Sequence, residues 1–121
     1  MSKRNDTDFI SDCIEAILRI RAYVKNLGYE TFSEDTKTQD AVVRNLEIIG
    51  EAVKSVSQET KKNHPQINWR DLARLRDKLI HHYFGVNLDI VWSIAVEELP
   101  TILSSLEQIL EMQGLDEDHH A

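Results

Sequence analysis

Ala41-Val-Val-Arg-Asn-Leu-Glu-Ile-Ile-Gly-Glu-Ala-Val-Lys-Ser-Val56 has the spacing of a helix rather than a strand. Val42, Leu46, Ile49, Val53 and Val56 recur every three or four positions, which is one face of a helix with about 3.6 residues per turn. Gly50 falls off that stripe, and a mid-helix glycine costs backbone entropy, so the close approach of another backbone is expected there. Upstream, Phe9, Cys13, Ile17, Ile20 and Val24 make a second stripe and predict a helix from about Asp6 to Leu27, ended by Gly28 at positive φ. A loop through Tyr29 to Phe32 leads to Ser33 as the expected N-cap of the Val42–Val56 helix. Downstream, residues 57–68 are polar, contain His64-Pro65 and form a connection with room for one short helix. Asn68 caps a third helix beginning at Trp69, Gly85 and Asn87 end it, and a fourth begins near Asp89. Pro100 removes an internal hydrogen bond, so it either kinks the last helix or starts another; a break after Leu99 is expected, with a helix from Thr101 to about Met112 and a frayed, charged tail. The sum is an all-α fold, an antiparallel bundle of four or five helices, with residues 1–121 as one helical domain.

The chain has 121 residues, 41% hydrophobic and 29% charged, as in a globular protein able to bury a core without disulfides. Its one cysteine, Cys13, excludes an internal disulfide and any multi-cysteine zinc site, and its place on the apolar stripe predicts a buried thiol. No signal-peptide core and no membrane-length apolar run occur, so a cytoplasmic protein is expected. The net charge of −7 is unevenly spread. Between Lys54 and His82 seven Lys or Arg face three acids, whereas no Lys or Arg occurs from Tyr83 onward. A local basic patch steers a phosphate backbone even on an acidic protein, because screening confines fields to about 8 Å. The same charges also fit ordinary solvated helix faces.

Within the basic segment lies Arg76-Asp-Lys-Leu-Ile-His81-His82-Tyr83. Arginine supplies a permanent planar cation for phosphate oxygens, and histidine exchanges protons near neutral pH. On a helical wheel Leu72, Leu75, Leu79 and Tyr83 form the apolar centre and Arg76 falls inside that arc. A guanidinium there must meet a carboxylate, with Glu47 and Glu51 in reach, or a phosphate or water. His81 lies about 140° round the helix from Arg76, so the two do not share one face of a straight helix. Either the helix distorts before His81, or the pair is assembled across a two-fold dimer interface. Asp77, four residues before His81, is placed to accept from its imidazole and fix the tautomer, or else to make a helix ion pair with Lys78 or Arg74. His82, adjacent to His81, points elsewhere and reads as a solvated bystander.

These residues, with N-W-R-D-L before them and F-G-V-N-L-D-I-V-W after, resemble the HepT-like members of the HEPN superfamily of helical ribonucleases. R-N-L-E-I-I-G-E-A at 44–52, H-P-Q-I-N-W at 64–69 and E-E-L-P at 97–100 extend the resemblance over most of the chain. It implies an RNA-cleaving toxin with Arg76 and His81 as catalytic residues in an Arg-x4-His-x-Tyr motif, Asp77 supporting them, and a cleft between two protomers. It also implies that Tyr83 accepts AMP from a partner nucleotidyltransferase antitoxin of the MntA type, in a complex of the homodimer or a higher assembly. Silencing then follows from added bulk and negative charge beside the Arg–His pair.

No H-x3-H or H-E-x-x-H spacing and no glycine-rich phosphate loop occurs, so no metal and no cofactor are expected. The chemistry expected is acid–base catalysis on RNA, whose 2′-OH is an internal nucleophile. Trp69, Phe84 and Trp92 could stack bases, but at helix ends in a small bundle they read first as core. The competing functional class is a noncatalytic accessory subunit that binds substrate for a nucleotidyltransferase, which would not need the set Arg76, Asp77, His81 and Tyr83.

Overall fold

The computed structural model describes residues 3–81 and 87–120, with the side chains at 80–81 and 114–120 outside that description. Among the described residues the chain is helical throughout, without strands. The helices are α1 (Asp6–Val24), α2 (Tyr29–Glu34), α3 (Thr36–Ser55), α4 (Gln58–Asn63), α5 (Trp69–Ala73), α6 (Leu75–His81), α7 (Leu88–Ser93) and α8 (Leu99–His120). A π turn over Ile94–Glu98 joins the last two. The segmentation is finer than the four or five helices expected, because several connections are themselves one-turn helices.

Helix α1 begins with a capping box in which Asn5 and Asp8 satisfy each other's backbone amides. Of its expected stripe Cys13, Ile17, Ile20 and Val24 are buried, whereas Phe9 is partly buried and its neighbour Ile10 takes the core position. The stop differs from expectation: the positive φ, 65°, belongs to Asn26, and Gly28 at φ −93° is instead the N-cap of α2. Asparagine tolerates the left-handed region because its short polar side chain bonds locally. Ser33 is likewise not the cap of the next helix, since it lies inside α2 and its hydroxyl donates to the Glu30 carbonyl at 2.7 Å. Asp35 caps α3, accepting from the Thr38 amide at 3.1 Å and the Thr38 hydroxyl at 2.6 Å.

Two long-range contacts set the helix directions. Asp6, at the start of α1, accepts from the Ser57 amide at 2.9 Å and the Thr60 hydroxyl at 2.6 Å, just beyond the end of α3. Thr7 donates to Gln113, late in α8, at 2.6 Å. Helix α1 therefore runs antiparallel to both α3 and α8. Val42, Leu46, Ile49, Val53 and Val56 are buried as their spacing required, and they meet Leu99, Leu103, Leu106 and Ile109 of α8 in one core cluster. Cys13 is fully buried there, its thiol directed at the Ile49 carbonyl. Burial, with a smaller contribution from the Asp12 charge, pushes the thiol up to about 12.

The chain does not break after Leu99. The Leu99 amide donates to the Ile94 carbonyl, five residues back, and the backbone continues as helix through Pro100 to His120 rather than stopping near Met112. A proline ring crowds the carbonyl four residues before it, and a widened turn immediately upstream relieves that clash without leaving the helix. Trp69 is buried and donates to the His64 carbonyl at 2.9 Å. Trp92 packs against Phe32, with ring centroids 5.1 Å apart, and edge-on against Tyr29. Both tryptophans are structural. Phe84 and the expected stop at Gly85 lie outside the described residues. No helix among the described residues is long and apolar enough to cross a membrane.

Candidate functional site

The site is built by two helix starts and one glycine. Asn68 caps α5 as its sequence position demands: its side-chain oxygen accepts from the Asp71 amide at 3.1 Å and its amide donates to the Asp71 carboxylate at 2.8 Å. The expected third helix is not continuous. At Arg74 the backbone turns to φ −88°, ψ −2°, and the Arg74 amide is shared between the carbonyls of Arg70 and Asp71. Helix α6 starts afresh at Leu75, with the Lys78 amide reaching the Arg74 carbonyl at 2.9 Å.

Gly50 explains where that junction sits. A methyl group at Gly50 would lie 3.4 Å from the Leu72 carbonyl oxygen, 3.5 Å from the Arg76 nitrogen and 3.6 Å from the Ala73 carbonyl oxygen. The backbone of α3 thus passes directly against the α5–α6 junction, the close approach that the glycine implied. This contact places Glu51 beside Arg76.

Arg76 is not in the apolar arc. That arc presumes one straight helix, whereas on α6 alone Leu75 and Leu79 define the buried side and Arg76 falls at its edge. Its side chain is 47% exposed, and Nη1 donates to Glu51 Oε1 at 2.8 Å, Glu51 being 53% exposed. The hydrogen bond that Arg76 donates to Glu51, then the Glu51 charge, raises the Arg76 pKa above its ordinary value; Glu47 and Asp77 add smaller attractions. Lys54 approaches the same Glu51 oxygen at 4.0 Å, and Glu47 lies 3.6 Å from Arg44. A row of alternating charge therefore lines the seam of α3 and α6. Of the two acids in reach by sequence, Glu51 makes the direct bond.

Asp77 is exposed on α6. Helix α6 includes His81 in its backbone, and among the described residues of this stretch the interruption falls at Arg74, before Arg76 rather than between Arg76 and His81. The His81 side chain, and His82 and Tyr83 entirely, lie outside the described residues, so the structure brings Arg76 together with Glu51 and does not report on the rest of the motif.

Sequence reasoning missed a cleft on the other side of α6. It has a volume of about 410 Å³ and lies between α5–α6 and the π turn with the start of α8. Leu72, Leu75 and Ile94 contribute to its floor, and Asp71, Lys78 and Glu98 are among its polar walls. The signal available in the sequence was E-E-L-P at 97–100, where the proline forces the π turn that places Glu97 and Glu98 on the wall.

Comparison with known proteins places this helical chain in a class of RNA-cleaving nucleases. The family model described as ribonuclease HepT-like matches residues 13–109. The chain belongs to that family. It is 40% identical over 98% of both chains to a Methanocaldococcus jannaschii protein named "Putative RNase MJ0127". It is 44% identical, over 88% of this chain and 97% of the relative, to a Thermococcus cleftensis protein named "Probable ribonuclease HepT". No solved structure matches it.

Proposed function

We propose that this protein is a metal-independent endoribonuclease toxin, with Arg76 and His81 as its catalytic residues and Asp77 orienting the histidine. Support comes from the family and from one observation above all: the Arg76 guanidinium stands at the surface of α6, tethered at one end and open to solvent, where a phosphate can reach it. Lys54, which shares the Glu51 oxygen, is also exposed, as are Arg70, Arg74 and Lys78 elsewhere on α5 and α6, which suits a polyanion.

The chemistry uses the substrate's own nucleophile. The ribose 2′-oxygen attacks the adjacent phosphorus, the bond from phosphorus to the 5′-oxygen breaks, and a 2′,3′-cyclic phosphate and a 5′-hydroxyl result. His81 takes the 2′-OH proton or delivers one to the departing 5′-oxygen, while Arg76 stabilises charge on the non-bridging oxygens. Because α6 is continuous from Leu75 to His81, five residues separate the two groups by about 140°. A C2 homodimer with the α6 helices near its axis completes the site.

Control is by a nucleotidyltransferase antitoxin that transfers AMP to the Tyr83 hydroxyl, placing a phosphate where it competes with RNA for Arg76. Residues 1–121 act as one domain in the cytoplasm.

The test is cleavage of a labelled RNA by purified variants. Arg76→Ala and His81→Ala each lower cleavage on the order of 100-fold or more while circular dichroism is unchanged. His82→Ala cuts normally, and chelators have no effect. Tyr83→Phe still cuts but gains no AMP by intact mass when incubated with the partner and ATP. Full activity of His81→Ala, or rescue of an inactive preparation by a divalent metal, would overturn the mechanism.

A further inference from the structure

We propose that Glu51 is a positioning residue for Arg76, clamping the guanidinium through Nη1 so that its Nε–Nη2 edge is held ready for two oxygens of a phosphodiester. The inference rests on Arg76 being the phosphate-binding cation of the site proposed above.

An unsupported arginine with four rotatable bonds samples many positions, and ordering it as the substrate reacts costs entropy. A guanidinium carries five N–H donors in a rigid fork, so a hydrogen bond at Nη1 restrains the group while leaving the Nε–Nη2 edge for bidentate contact. The observed bond has that form: Nη1 to Glu51 Oε1, 2.8 Å.

Three features argue that this contact serves the arginine rather than the fold. Both side chains are about half exposed, and ion pairs so wetted add little stability. Glu51 is aimed by main-chain contact, since neighbouring Gly50 lies against the Arg76 backbone nitrogen and the carboxylate needs only its own length to reach the guanidinium. Lys54, 4.0 Å from the same Glu51 oxygen, offsets a negative charge that would otherwise repel RNA.

Length and charge separate in the test. Glu51→Gln keeps the reach and an acceptor oxygen but loses the charge; Glu51→Asp keeps the charge but falls one methylene short. On the full chain, with a fluorescent RNA oligonucleotide that the wild type cuts, Glu51→Ala and Glu51→Asp should lower kcat on the order of 10- to 100-fold with KM unchanged or lower. Glu51→Gln should stay within about threefold of wild type, because the hydrogen bond survives. An active Asp variant beside a dead Gln variant would show that Glu51 acts by charge, and overturns the proposal. So does a rise in KM alone, a faster Ala variant, or indifference of all three. Should Glu51→Ala fail to fold, the Gln and Asp variants decide the question alone. Arg76→Ala and His81→Ala run in parallel. If they are dead while the Glu51 variants cut normally, only the positioning role falls; if they cut normally, the reading of the site falls and this inference with it.

Discussion

Asp6 shows how one side chain ties together parts of the chain far apart in sequence. Its carboxylate accepts from the Ser57 amide and hydroxyl and from the Thr60 hydroxyl, closing the start of α1 onto the end of α3. Burial pulls its pKa upward, but the hydrogen bonds from Ser57 and Thr60 and the Lys61 charge outweigh it, and the net pKa is lowered. A carboxylate depressed in the folded state stabilises at pH values above its unfolded pKa of about 3.9, and that contribution is lost as pH falls through the folded value. Asp6→Asn should therefore unfold at lower urea than wild type at pH 7, with the two midpoints converging below about pH 4. A constant gap from pH 7 to pH 3 would show that the carboxylate's ionisation is not what stabilises this corner. Cys13 is the opposite case, a group whose burial the sequence declared and whose raised pKa removes it from reactive chemistry.

Helices read well from the sequence where their cause is local. The α3 stripe has the helical period for fifteen residues, and Asn68 offers a short polar oxygen directly before Trp69; both stand where the spacing put them. The interruption at Arg74 was not legible, because it follows from α3 pressing on α5–α6, a contact that no window along the chain contains. The π turn was half legible: Pro100 announced a disturbance but not whether the helix would exit or widen. The exposure of Arg76 has the same cause as the break, since one residue of altered backbone re-aims the helix beyond it. Glu51 was one of two acids in reach, and the docking of α3 on α6 selects it over Glu47. Gly50 is where this docking can be tested. Gly50→Ala adds a methyl at ordinary contact distance and a helix-propensity gain of about 1 kcal/mol, so the urea midpoint should hold or rise slightly. Gly50→Leu must push the helices apart, costing about 1–3 kcal/mol and displacing Glu51 from Arg76. An unchanged midpoint in the leucine variant would mean that α3 and α5–α6 are not in the contact described.

For the whole molecule, the proposal turns on whether Arg76 and His81 of the same chain ever work together. Continuous helix from Leu75 to His81 turns the two positions about 140° apart. In the proposed homodimer each arginine would meet the other copy's histidine, and dead variants can report this directly. Arg76→Ala and His81→Ala protomers, each inactive alone, are mixed under conditions that exchange subunits and assayed on the labelled RNA. In a composite site, a mixed dimer retains one groove with an intact Arg76 from one protomer and an intact His81 from its partner, while its other groove lacks both. With random exchange half the dimers are mixed and each has one working groove of two, so activity should return to about a quarter of wild type. If both groups act within one protomer, every groove in the mixture lacks one of them and no activity returns. Sedimentation of the same mixture fixes the assembly independently. A dimer that exchanges subunits yet recovers no cleavage would place the site within the protomer, whereas a monomer at micromolar concentration would leave the histidine no second chain from which to act.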